Sequence, residues 1–508
     1  MGFDLPEIYV NAPFSWGPPA REMTVDGVPV RLYQKTDPLP PSDWLEVMAA
    51  REERAREARQ FTVVKDENRV KALRNVHAKE RRNFGPERRF TKRPQNPRNN
   101  FTKKTKRNLT LLPDTIRVPT DVRILAEFTQ AELAKMQNLQ DVPTVADISI
   151  HNRPPIYNNN MDTASCKASI RLDEESAARQ EFVRSNTLED TVFRDILKKE
   201  THGTHPIIVT TDEVLALIMT CSRSVHPWHV EFFRYGRIVF ITKAENSNIE
   251  MQWVGETADS SRRPTENDPI ESERITSLGV ESTKANNAFV AQACTKSRYQ
   301  MKCEKNPFPN TQPRMYRYRR YVMHGDSEDR YDLLVRCEVD AVQNDKYLRL
   351  FGLLEQCTDG VSSEWRKTLD AQGAKWTSDE YRRNAQKMAR WVSLCHLSGA
   401  LMKIGFVSRC LKSNGTLDPT KHEVLATHTK DPGPLAAQLG IKIANMWAIA
   451  DAIILSFLKQ QEFKDAELIK KSGENSILLI GHTGDDDDDD DDDGDDDDDD
   501  DDDDEDDE

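Results

Sequence analysis

The stretch from Arg314 to Val342 constrains the fold most, because its side chains change character with a period of two. Successive side chains of a β-strand point to opposite faces of a sheet, so this pattern predicts strands. Over residues 314–322, aromatic and basic residues alternate: Tyr316 and Tyr318 share one face, and Arg317 and Arg319 share the other. A turn rich in Gly, Asp and Ser follows over residues 324–329, which together predicts a β-hairpin.

The second strand of the hairpin carries a candidate catalytic pattern. Residues 331–339 are apolar at every second position, and the opposite face presents Arg336, Glu338 and Asp340. Two carboxylates two residues apart on a strand point the same way, which is how a nuclease holds a divalent metal ion. Basic and aromatic groups beside them are what RNA binding uses. The hairpin alone leaves two functions open, a metal-dependent RNA enzyme and an RNA-binding surface.

Charge is distributed very unevenly along the chain. Residues 485–508 include 23 acidic residues, and without them the net charge changes from −15 to +8. Residues 51–110 contain 20 Lys and Arg against 7 Asp and Glu. A segment of this composition attracts RNA phosphates in a salt-dependent way, and the alternative is a solvated linker. Because both segments lack the apolar content for a core, we expect them to be disordered when free.

Composition predicts four regions. Residues 1–50 are rich in Pro with isolated aromatics, and Trp16, flanked by turn formers, is a candidate anchor in a partner's groove. The alternative is an incidental Trp in a disordered terminus. Residues 51–115 are expected to form a basic arm that contacts RNA or the ribosome, residues 116–475 a folded domain, and residues 476–508 a disordered acidic tail.

Hydrophobic periodicity divides the folded domain into helices and strands. It predicts helices over residues 121–138, 212–224, 276–294, 363–372, 380–404 and 434–460. It predicts strands over residues 207–209, 229–233, 237–242, 251–254 and 346–354. Thr210 and Glu213 fit a capping box at the start of the second helix, and the polar residues 255–274 predict a mobile loop. Because the strands and helices mix without a regular βαβα rhythm, we predict an α+β fold with mixed sheets and flanking helices.

Cysteine and histidine spacing argues against metal and redox sites. The eight cysteines are scattered with no CxxC pair, which predicts a reduced intracellular chain with buried thiols. The pairs His202-x-x-His205 and His226-x-x-His229 lack nearby cysteines that could complete a zinc site, so we expect no metal and no cofactor. Motifs for nucleotide phosphate loops, dinucleotides, serine hydrolases and zinc proteases do not occur in the sequence.

The most apolar stretch predicts a core helix. Residues 435–458 contain Lys442, Asn445 and Asp451, which argue against a membrane span. No signal peptide is visible at the N-terminus, so we expect a cytoplasmic protein without a membrane partner.

Several motifs resemble the family of the cap-binding D subunit of eukaryotic translation initiation factor three. The matching segments are Thr211 to Trp228, Tyr316 to Arg320, Asp332 to Glu338, Trp365-Arg366 with Leu369-Asp370, Ala389 to Trp391, and Gly405 to Arg409. Near the N-terminus, Trp16-Gly17-Pro18 and Asp43-Trp44 match two short motifs of the family. The resemblance runs almost end to end, although the tail is rich in Asp where many relatives have Glu.

The resemblance implies an mRNA cap-binding component whose fold is similar to the decapping exonucleases. Its cap-contact positions correspond here to Asp212, Val225, His226, Thr283, Asn286 and Asn287, where relatives often have Tyr at position 226 and His at position 287. A loop called the RNA gate, which controls access for selected mRNAs, corresponds to residues 248–262 and includes Asn248, Glu250, Glu256, Asp259 and Arg262. A methylated guanine is planar and cationic, so it favours aromatic or carboxylate neighbours.

The resemblance also implies partners. The Trp16 motif tethers the family's members to the initiation factor complex, chiefly through its E subunit. We therefore expect the other subunits of the complex, capped mRNA and, through the complex, the 40S ribosomal subunit as partners.

The resemblance decides against catalysis. Related nucleases pair a Glu-x-Asp strand with a second strand that carries Glu-x-Lys, but here Arg349 and Phe351 stand at those two positions. A cation there repels a divalent metal ion and removes a ligand, so we predict no enzyme activity and expect Glu338 and Asp340 to pair with Arg336 or Arg349. The alternatives are a metal-dependent decapping nuclease and a scaffold component without cap binding. The residues Tyr316, Arg317, Tyr318 and Arg319 remain candidates for a wall of the RNA path.

Overall fold

Two mixed β-sheets and the helices packed on them form the fold of the computed structural model. The structure describes residues 22–25, 28–31, 122–139, 143–177, 187, 190–200, 203–244, 247, 249–257, 263–295, 301–308, 311–325, 327–357 and 363–482. This architecture confirms the predicted α+β class with mixed sheets and flanking helices.

The strands pair in three groups. β1 (Glu22–Val25) and β2 (Val28–Arg31) pair with each other. The nine-stranded sheet contains, in spatial order, β3 (Val122–Thr129), β18 (Ser476–His482), β17 (Asp465–Lys470), β8 (Trp228–Tyr235), β9 (Ile238–Lys243), β7 (Ile207–Thr211), β12 (Tyr331–Val339), β11 (Met315–Met323) and β4 (Thr144–His151). The seven-stranded sheet contains β10 (Cys294–Thr295), β5 (Ile156–Tyr157), β13 (Ala341–Gln343), β14 (Lys346–Leu354), β15 (Leu401–Leu411), β16 (Leu417–Lys430) and β6 (Ile170–Arg171).

Helices connect and cover these sheets. The described α-helices are α1 (Gln130–Lys135), α2 (Glu174–Ala177), α3 (Thr191–Leu197), α4 (Asp212–Thr220), α5 (Ile275–Gln292), α6 (Trp365–Arg383), α7 (Ala385–Ser398), α8 (Pro432–Gln438) and α9 (Ile443–Leu458). Short 3₁₀ turns lie at Asn159–Thr163, Cys221–Arg223 and Glu271–Glu273.

The largest hydrophobic core takes side chains from both large sheets and from α4, α7 and α9. Leu333 of β12 and Ile404 of β15 are fully buried in it, together with Ile218, Met388 and Ile453 of the three helices. The predicted hairpin is confirmed, since β11 and β12 pair antiparallel over their whole length. β12 is covered on both faces, because the alternate residue Leu334 packs into a second cluster with α3. The hairpin therefore lies inside the molecule.

Three predictions around the first core elements are wrong. Residues 121–138 form a strand and then a helix, because β3 pairs with β18 from the far end of the chain. The capping residue of α4 is Thr211, whose hydroxyl accepts a hydrogen bond from the backbone of Val214, and not Thr210. Residues 251–254 form irregular chain and not a strand.

Two long predicted helices also differ. The helix predicted over 380–404 covers the last turn of α6 and all of α7, with a break at Asn384. It ends at Ser398, where Gly399 adopts a left-handed conformation (φ 69°) and the chain enters β15. The helix predicted over 434–460 is two helices, α8 and α9, that meet at an angle of 93°. Within the described residues no single helix is long and apolar enough to cross a membrane, and α9 contributes Trp447, Ile449 and Ile453 to the core.

The C-terminal boundary of the folded domain lies beyond the predicted one. We expected the acidic tail to begin at residue 476, but Ser476–His482 is β18, which pairs with both β17 and β3. The alternating apolar residues Ile477 and Leu479 are fully buried, which explains why this segment belongs to the sheet.

Candidate functional site

The two acids of the nuclease-like pattern lie buried against two arginines. Arg314 bonds Glu338 through Nη1, and its Nε lies 3.0 Å from Asp340 Oδ1. Arg349 of β14 places Nη1 3.7 Å from Glu338 Oε2 and Nε 3.7 Å from Asp340 Oδ2. Burial alone would raise the pKa of Glu338, but Arg314 and Arg349 hold it below its ordinary value. The two guanidinium groups therefore neutralise the acids that a divalent cation would otherwise bind.

The first turn of α4 adds two more acids to this cluster. Arg349 Nη1 lies 3.6 Å from Asp212 Oδ2, and Nη2 lies 3.3 Å from Glu213 Oε1. Asp212 Oδ2 also accepts a hydrogen bond of 3.0 Å from the backbone N–H of Glu338. Burial raises the pKa of Asp212 to about 7, with Glu338 adding to the rise and Arg349 opposing it. The Asp212 carboxylate is thus directed into the arginine cluster.

Arg336 is directed toward another acid. Its Nη1 forms an ion pair of 2.8 Å with Asp190 Oδ2, and Asp190 also accepts a hydrogen bond from the Tyr318 hydroxyl. Of the two arginines predicted to pair with Glu338 and Asp340, Arg349 is the one that forms ion pairs with both. Among the residues that the structure describes, no group of three or more His, Cys, Asp or Glu side chains is placed to hold a metal ion.

The first hairpin strand, β11, does not present an exposed surface. Tyr316 and Tyr318 are fully buried, and Arg317 and Arg319 are each 9% exposed. Both arginines form ion pairs with Asp147 and donate to backbone carbonyls at the end of α7. The prediction that these four side chains line an RNA path is therefore wrong in this structure, because α3 covers the Tyr face and α7 ends on the Arg face.

An open pocket lies at the C-terminal end of α4. It encloses about 440 Å³ of space, part of which is open to solvent. Its lining comes from the end of α4 and the turn after it, the irregular chain 249–256, and the first turns of α7. The lining residues are Leu217, Ser224, His226, Pro227, Trp228, Ile249, Met251, Gln252, Trp253, Glu256, Gln386, Lys387, Arg390 and Trp391.

Two stacked rings form one wall of this pocket. The imidazole of His226 lies on the indole of Trp253 with ring centroids 4.1 Å apart and an interplanar angle of 28°. The Trp253 ring packs closely on the backbone of Gly279, because a Cβ atom added to that glycine would lie only 3.1 Å from the ring. Burial, with a smaller contribution from the nearby charges of Arg263 and Lys470, lowers the pKa of His226 to about 3. The imidazole is therefore a neutral, flat surface at physiological pH.

Three charged side chains, Glu256, Lys387 and Arg390, also line the pocket. Glu256 is 6% exposed, and its Oε1 accepts a hydrogen bond of 3.3 Å from the backbone N–H of Val225. Burial raises the pKa of Glu256 to about 6, although Lys387 and Arg390 oppose the rise. Arg390 Nη2 donates to Glu213 Oε2 at 2.8 Å, so one ion pair joins the pocket to the arginine cluster.

Helix α5 brings the remaining predicted cap contacts beside the pocket. Thr283 Oγ1 accepts a hydrogen bond of 3.0 Å from the backbone N–H of Gln252, a pocket residue. Asn286 Oδ1 accepts one of 2.9 Å from the backbone N–H of Gly352, and Asn286 Nδ2 donates to Asn287 Oδ1 at 3.3 Å. Of the predicted cap contacts, only His226 lines the pocket, while Val225 and Thr283 hydrogen-bond to the lining residues Glu256 and Gln252. Asn286 joins α5 to β14, and Asp212 is directed into the arginine cluster.

Part of the predicted gate can be located. The residues Asn248, Asp259, Arg262 and Trp16 lie outside the described residues. Glu250 forms an ion pair with Lys243 of β9, which fixes the start of the gate segment against the sheet. Glu256 lies in the wall of the pocket and not on an exposed loop.

Sequence reasoning did not assign Trp253, Lys387 or Arg390 to the site. The stretch around Trp253 suggested a strand, because three apolar residues lie close together there. The burial of Lys387 could have been predicted, since it lies next to Met388 and four residues before Trp391 on the apolar stripe of α7. A lysine on the buried face of a helix requires either a partner or a ligand.

The fold and the site define an α+β protein with an arginine-neutralised acidic cluster beside an open aromatic and charged pocket. The chain belongs to the family described as eukaryotic translation initiation factor 3 subunit 7 (eIF-3), whose model matches residues 64–480. The family predicted from the sequence motifs is thereby confirmed.

Named relatives agree with this family. The chain is 28% identical over 405 residues to the D subunit of eukaryotic translation initiation factor 3 from Xenopus tropicalis, and the match covers 75% of this chain and 68% of the relative. It is 28% identical over 411 residues to the corresponding D subunit from Homo sapiens, with coverage of 77% and 68%.

Solved structures show a more distant likeness. S. pombe Rai1 in complex with 3'-FADP is 12% identical with a TM-score of 0.38, and the match covers 71% of this chain and 99% of that one. Scheffersomyces stipitis Rai1 in complex with (3'-NADP)+ and calcium ion is 11% identical with a TM-score of 0.42, with coverage of 73% and 94%. Similarity at this level carries no argument about what the chain binds or catalyses.

Proposed function

We propose that this chain is the mRNA 5′-cap-binding component of the translation initiation factor three complex and promotes cap-dependent initiation on specific mRNAs. The observation that carries the proposal is the open pocket whose lining includes both the His226–Trp253 stack and Glu256. A 7-methylguanine ring is flat and cationic, so it binds best against an aromatic face with a carboxylate nearby. Both groups line this one pocket.

The geometry restricts how the base would bind. A ring cannot enter between His226 and Trp253, because their centroids are only 4.1 Å apart. The base would therefore stack on the outer face of His226, with Trp253 supporting that ring from behind. Since the low pKa of His226 keeps the imidazole neutral, it would not repel a cationic base. The side chains of Thr283 and Asn287, on α5 beside the pocket, would supply polar contacts.

The gate proposal concerns the segment that begins at Glu250. We propose that residues 248–262 control entry to the pocket, because Trp253 and Glu256 in this segment form its wall. Movement of the segment would therefore open or remove the stacking surface itself.

Two further parts of the proposal concern partners and catalysis. The Trp16 motif would anchor the chain in the complex, chiefly on the E subunit, and the complex would bring it to the 40S ribosomal subunit. We also propose that the chain does not cleave RNA, since Arg314 and Arg349 neutralise Glu338 and Asp340. Manganese-dependent turnover of 5′-modified RNA that is lost in Glu338→Gln would contradict this part.

Crosslinking to capped and uncapped RNA of identical sequence tests the proposed function. The wild-type chain should crosslink preferentially to capped RNA, and His226→Ala should lose most of that preference, because base stacking contributes about 1–3 kcal/mol. His226→Tyr should keep it, since Tyr offers a similar flat surface. The matched control is His205→Ala, an exposed histidine outside the pocket, which should leave the preference unchanged. Equal crosslinking of both RNAs to the wild-type chain would contradict cap recognition.

A further inference from the structure

Lys387 is a buried cation without a hydrogen-bond partner among the described residues. Its side chain comes from the first turn of α7 and lines the pocket, although the residue is only 4% exposed. Within the described part of the chain, Nζ makes no hydrogen bond, and it lies over the Trp391 ring, 5.8 Å from the ring centroid. Burying an ammonium group without a hydrogen-bonded counter-charge is costly, so such a group either loses its proton or is compensated by an anion.

The neighbours of Lys387 are also incompletely satisfied. Arg390 lies one turn further along α7 and binds Glu213 through Nη2, but its Nε has no hydrogen-bond partner in the described ranges. Lys387 and Arg390 both come from α7, and both line the pocket. The positive end of the α7 dipole adds to their field, because Lys387 is in the first turn of this 14-residue helix.

The balance of charge around the pocket is positive. Glu256 is the acid that acts on Lys387, and it already accepts a hydrogen bond from the backbone of Val225. Arg263 and Lys470 add positive charge on the His226 side of the pocket. The aromatic wall therefore suits a base, whereas the Lys387 side suits an anion.

We propose that Lys387 and Arg390 form an anion subsite that binds the polyphosphate group of a nucleotide whose base stacks on His226. The inference rests on the proposed function and deepens it, because a cap joins its methylated base to the RNA through a triphosphate. Lysine and arginine side chains are the usual protein ligands of phosphate oxygens. Lys387 Nζ and Arg390 Nε are the two donors that the phosphate oxygens satisfy.

The affinities of the full chain for a series of four ligands test the subsite. Affinities are measured for 7-methylguanosine, 7-methylguanosine triphosphate, GTP and inorganic tripolyphosphate. In the wild-type chain the triphosphate should bind about 10- to 100-fold more tightly than the nucleoside, as expected for one or two charge-assisted hydrogen bonds. Lys387→Met should reduce that ratio to within a few-fold of one, mainly through weaker binding of the triphosphate. Lys412→Met, an exposed lysine outside the pocket, is the matched control and should keep the full ratio.

The outcomes separate this subsite from cap recognition. If 7-methylguanosine triphosphate and GTP bind equally tightly and both depend on Lys387, the subsite stands and cap specificity fails. If the methylated base is preferred but the ratio of triphosphate to nucleoside is unchanged by Lys387→Met, the subsite is wrong and cap recognition stands. If the wild-type chain binds no phosphate-bearing ligand, the subsite is also wrong.

Proton uptake gives a second readout that needs no substitution. Burial lowers the pKa of Lys387 to about 7, so at pH 8 a large fraction of this side chain is neutral in the free protein. A bound polyphosphate favours the charged form, so binding at pH 8 should take up protons. Calorimetry in two buffers of different ionisation enthalpy should give different apparent binding enthalpies for the wild type, and this difference should shrink in Lys387→Met. Identical enthalpies in both buffers for the wild type would contradict protonation of Lys387 on binding.

Discussion

At the scale of single residues, Arg349 determines what the central cluster can do. One guanidinium lies within 3.7 Å of acidic oxygens from Asp212, Glu213, Glu338 and Asp340. Two carboxylates spaced for a metal ion on β12 thus become part of a buried ion network. The function of these acids follows from the cation beside them and not from their own spacing.

Replacing Arg349 should strongly destabilise the fold. Arg349→Met removes a positive charge from beside buried carboxylates. Removing one partner of a buried ion pair lowers the free energy of unfolding by about 3–5 kcal/mol. The free energy of unfolding in denaturant measures the loss. The control is Arg382→Met, which breaks an ion pair with Asp379 whose arginine side chain is 73% exposed, and should change stability by less than about 1 kcal/mol. Equal effects of both substitutions would show that the cluster does not hold the fold together.

His422 gives the folded domain a pH dependence in the alkaline range. Burial alone would lower the pKa of His422, but hydrogen bonds with Glu174 and Glu281 raise it to about 9. Because the folded pKa lies above the ordinary value of about 6.5, the stabilisation is complete below pH 6.5 and is lost as the pH rises through 9.

The difference between wild type and His422→Gln isolates this contribution. The wild type should lose up to about 3 kcal/mol of unfolding free energy relative to His422→Gln between pH 6.5 and 9.5. Denaturant unfolding at several pH values measures it. A constant difference across that range would mean that His422 is not protonated in the folded state.

Some of these residue contacts could be predicted from the sequence. The resemblance to nucleases placed Arg349 opposite Glu338 and Asp340, and the ion pairs are present. Arg336 could not be assigned in the same way, because its partner Asp190 comes from a distant part of the chain. The role of Trp253 in the pocket could not be predicted either, since its contact with His226 depends on how an irregular segment of the chain packs against the residues after α4.

At the scale of secondary-structure elements, the position of α5 depends on its close approach to the seven-stranded sheet. A Cβ on Gly352 of β14 would lie 2.9 Å from the Cα of Asn286, so the helix backbone packs directly on the glycine. The backbone N–H of Gly352 also donates to Asn286 Oδ1 at 2.9 Å. The glycine therefore sets the distance between the sheet and the helix that carries Thr283 and Asn287.

Gly352→Ala should move α5 and weaken the pocket. The added methyl group meets backbone and not a flexible side chain, so we expect a loss of about 1–3 kcal/mol and weaker cap binding. Gly433→Ala is the control, because its Cβ would contact only Asp431 Oδ1 at an ordinary 3.5 Å and the residue lies in the first turn of α8. Thermal unfolding and cap-analogue affinity report the two effects. Unchanged affinity in Gly352→Ala would show that α5 does not contribute to the site.

Local patterns predicted the hairpin, α4 and β14 well, because each pattern agrees with the burial that the fold imposes. They failed where distant pairing decides the conformation. Residues 122–129 carry apolar side chains at helical spacing, yet β18 pairs with them and imposes a strand. Gly399 marks the end of α7, but the apolar residues on both sides of it conceal that boundary in the sequence.

At the scale of the whole molecule, the two large sheets share one core, and the pocket lies where α4, the chain 249–256 and α7 meet. The arginine cluster lies at the start of α4 and the pocket at its end, joined by the ion pair between Glu213 and Arg390. The fold class and the family could be predicted from sequence patterns and motifs. The position of the pocket could not, because it depends on the packing of segments more than 100 residues apart in the chain.

The most direct test of the account is competition for an immobilised cap. The full chain is retained on immobilised 7-methylguanosine triphosphate and then challenged with free 7-methylguanosine triphosphate or with the same concentration of GTP. Cap recognition by this pocket predicts release by the methylated nucleotide at concentrations where GTP releases little protein, and loss of retention in His226→Ala. Equal release by both nucleotides, or no retention of the wild-type chain, would contradict the claim that this pocket binds the mRNA cap.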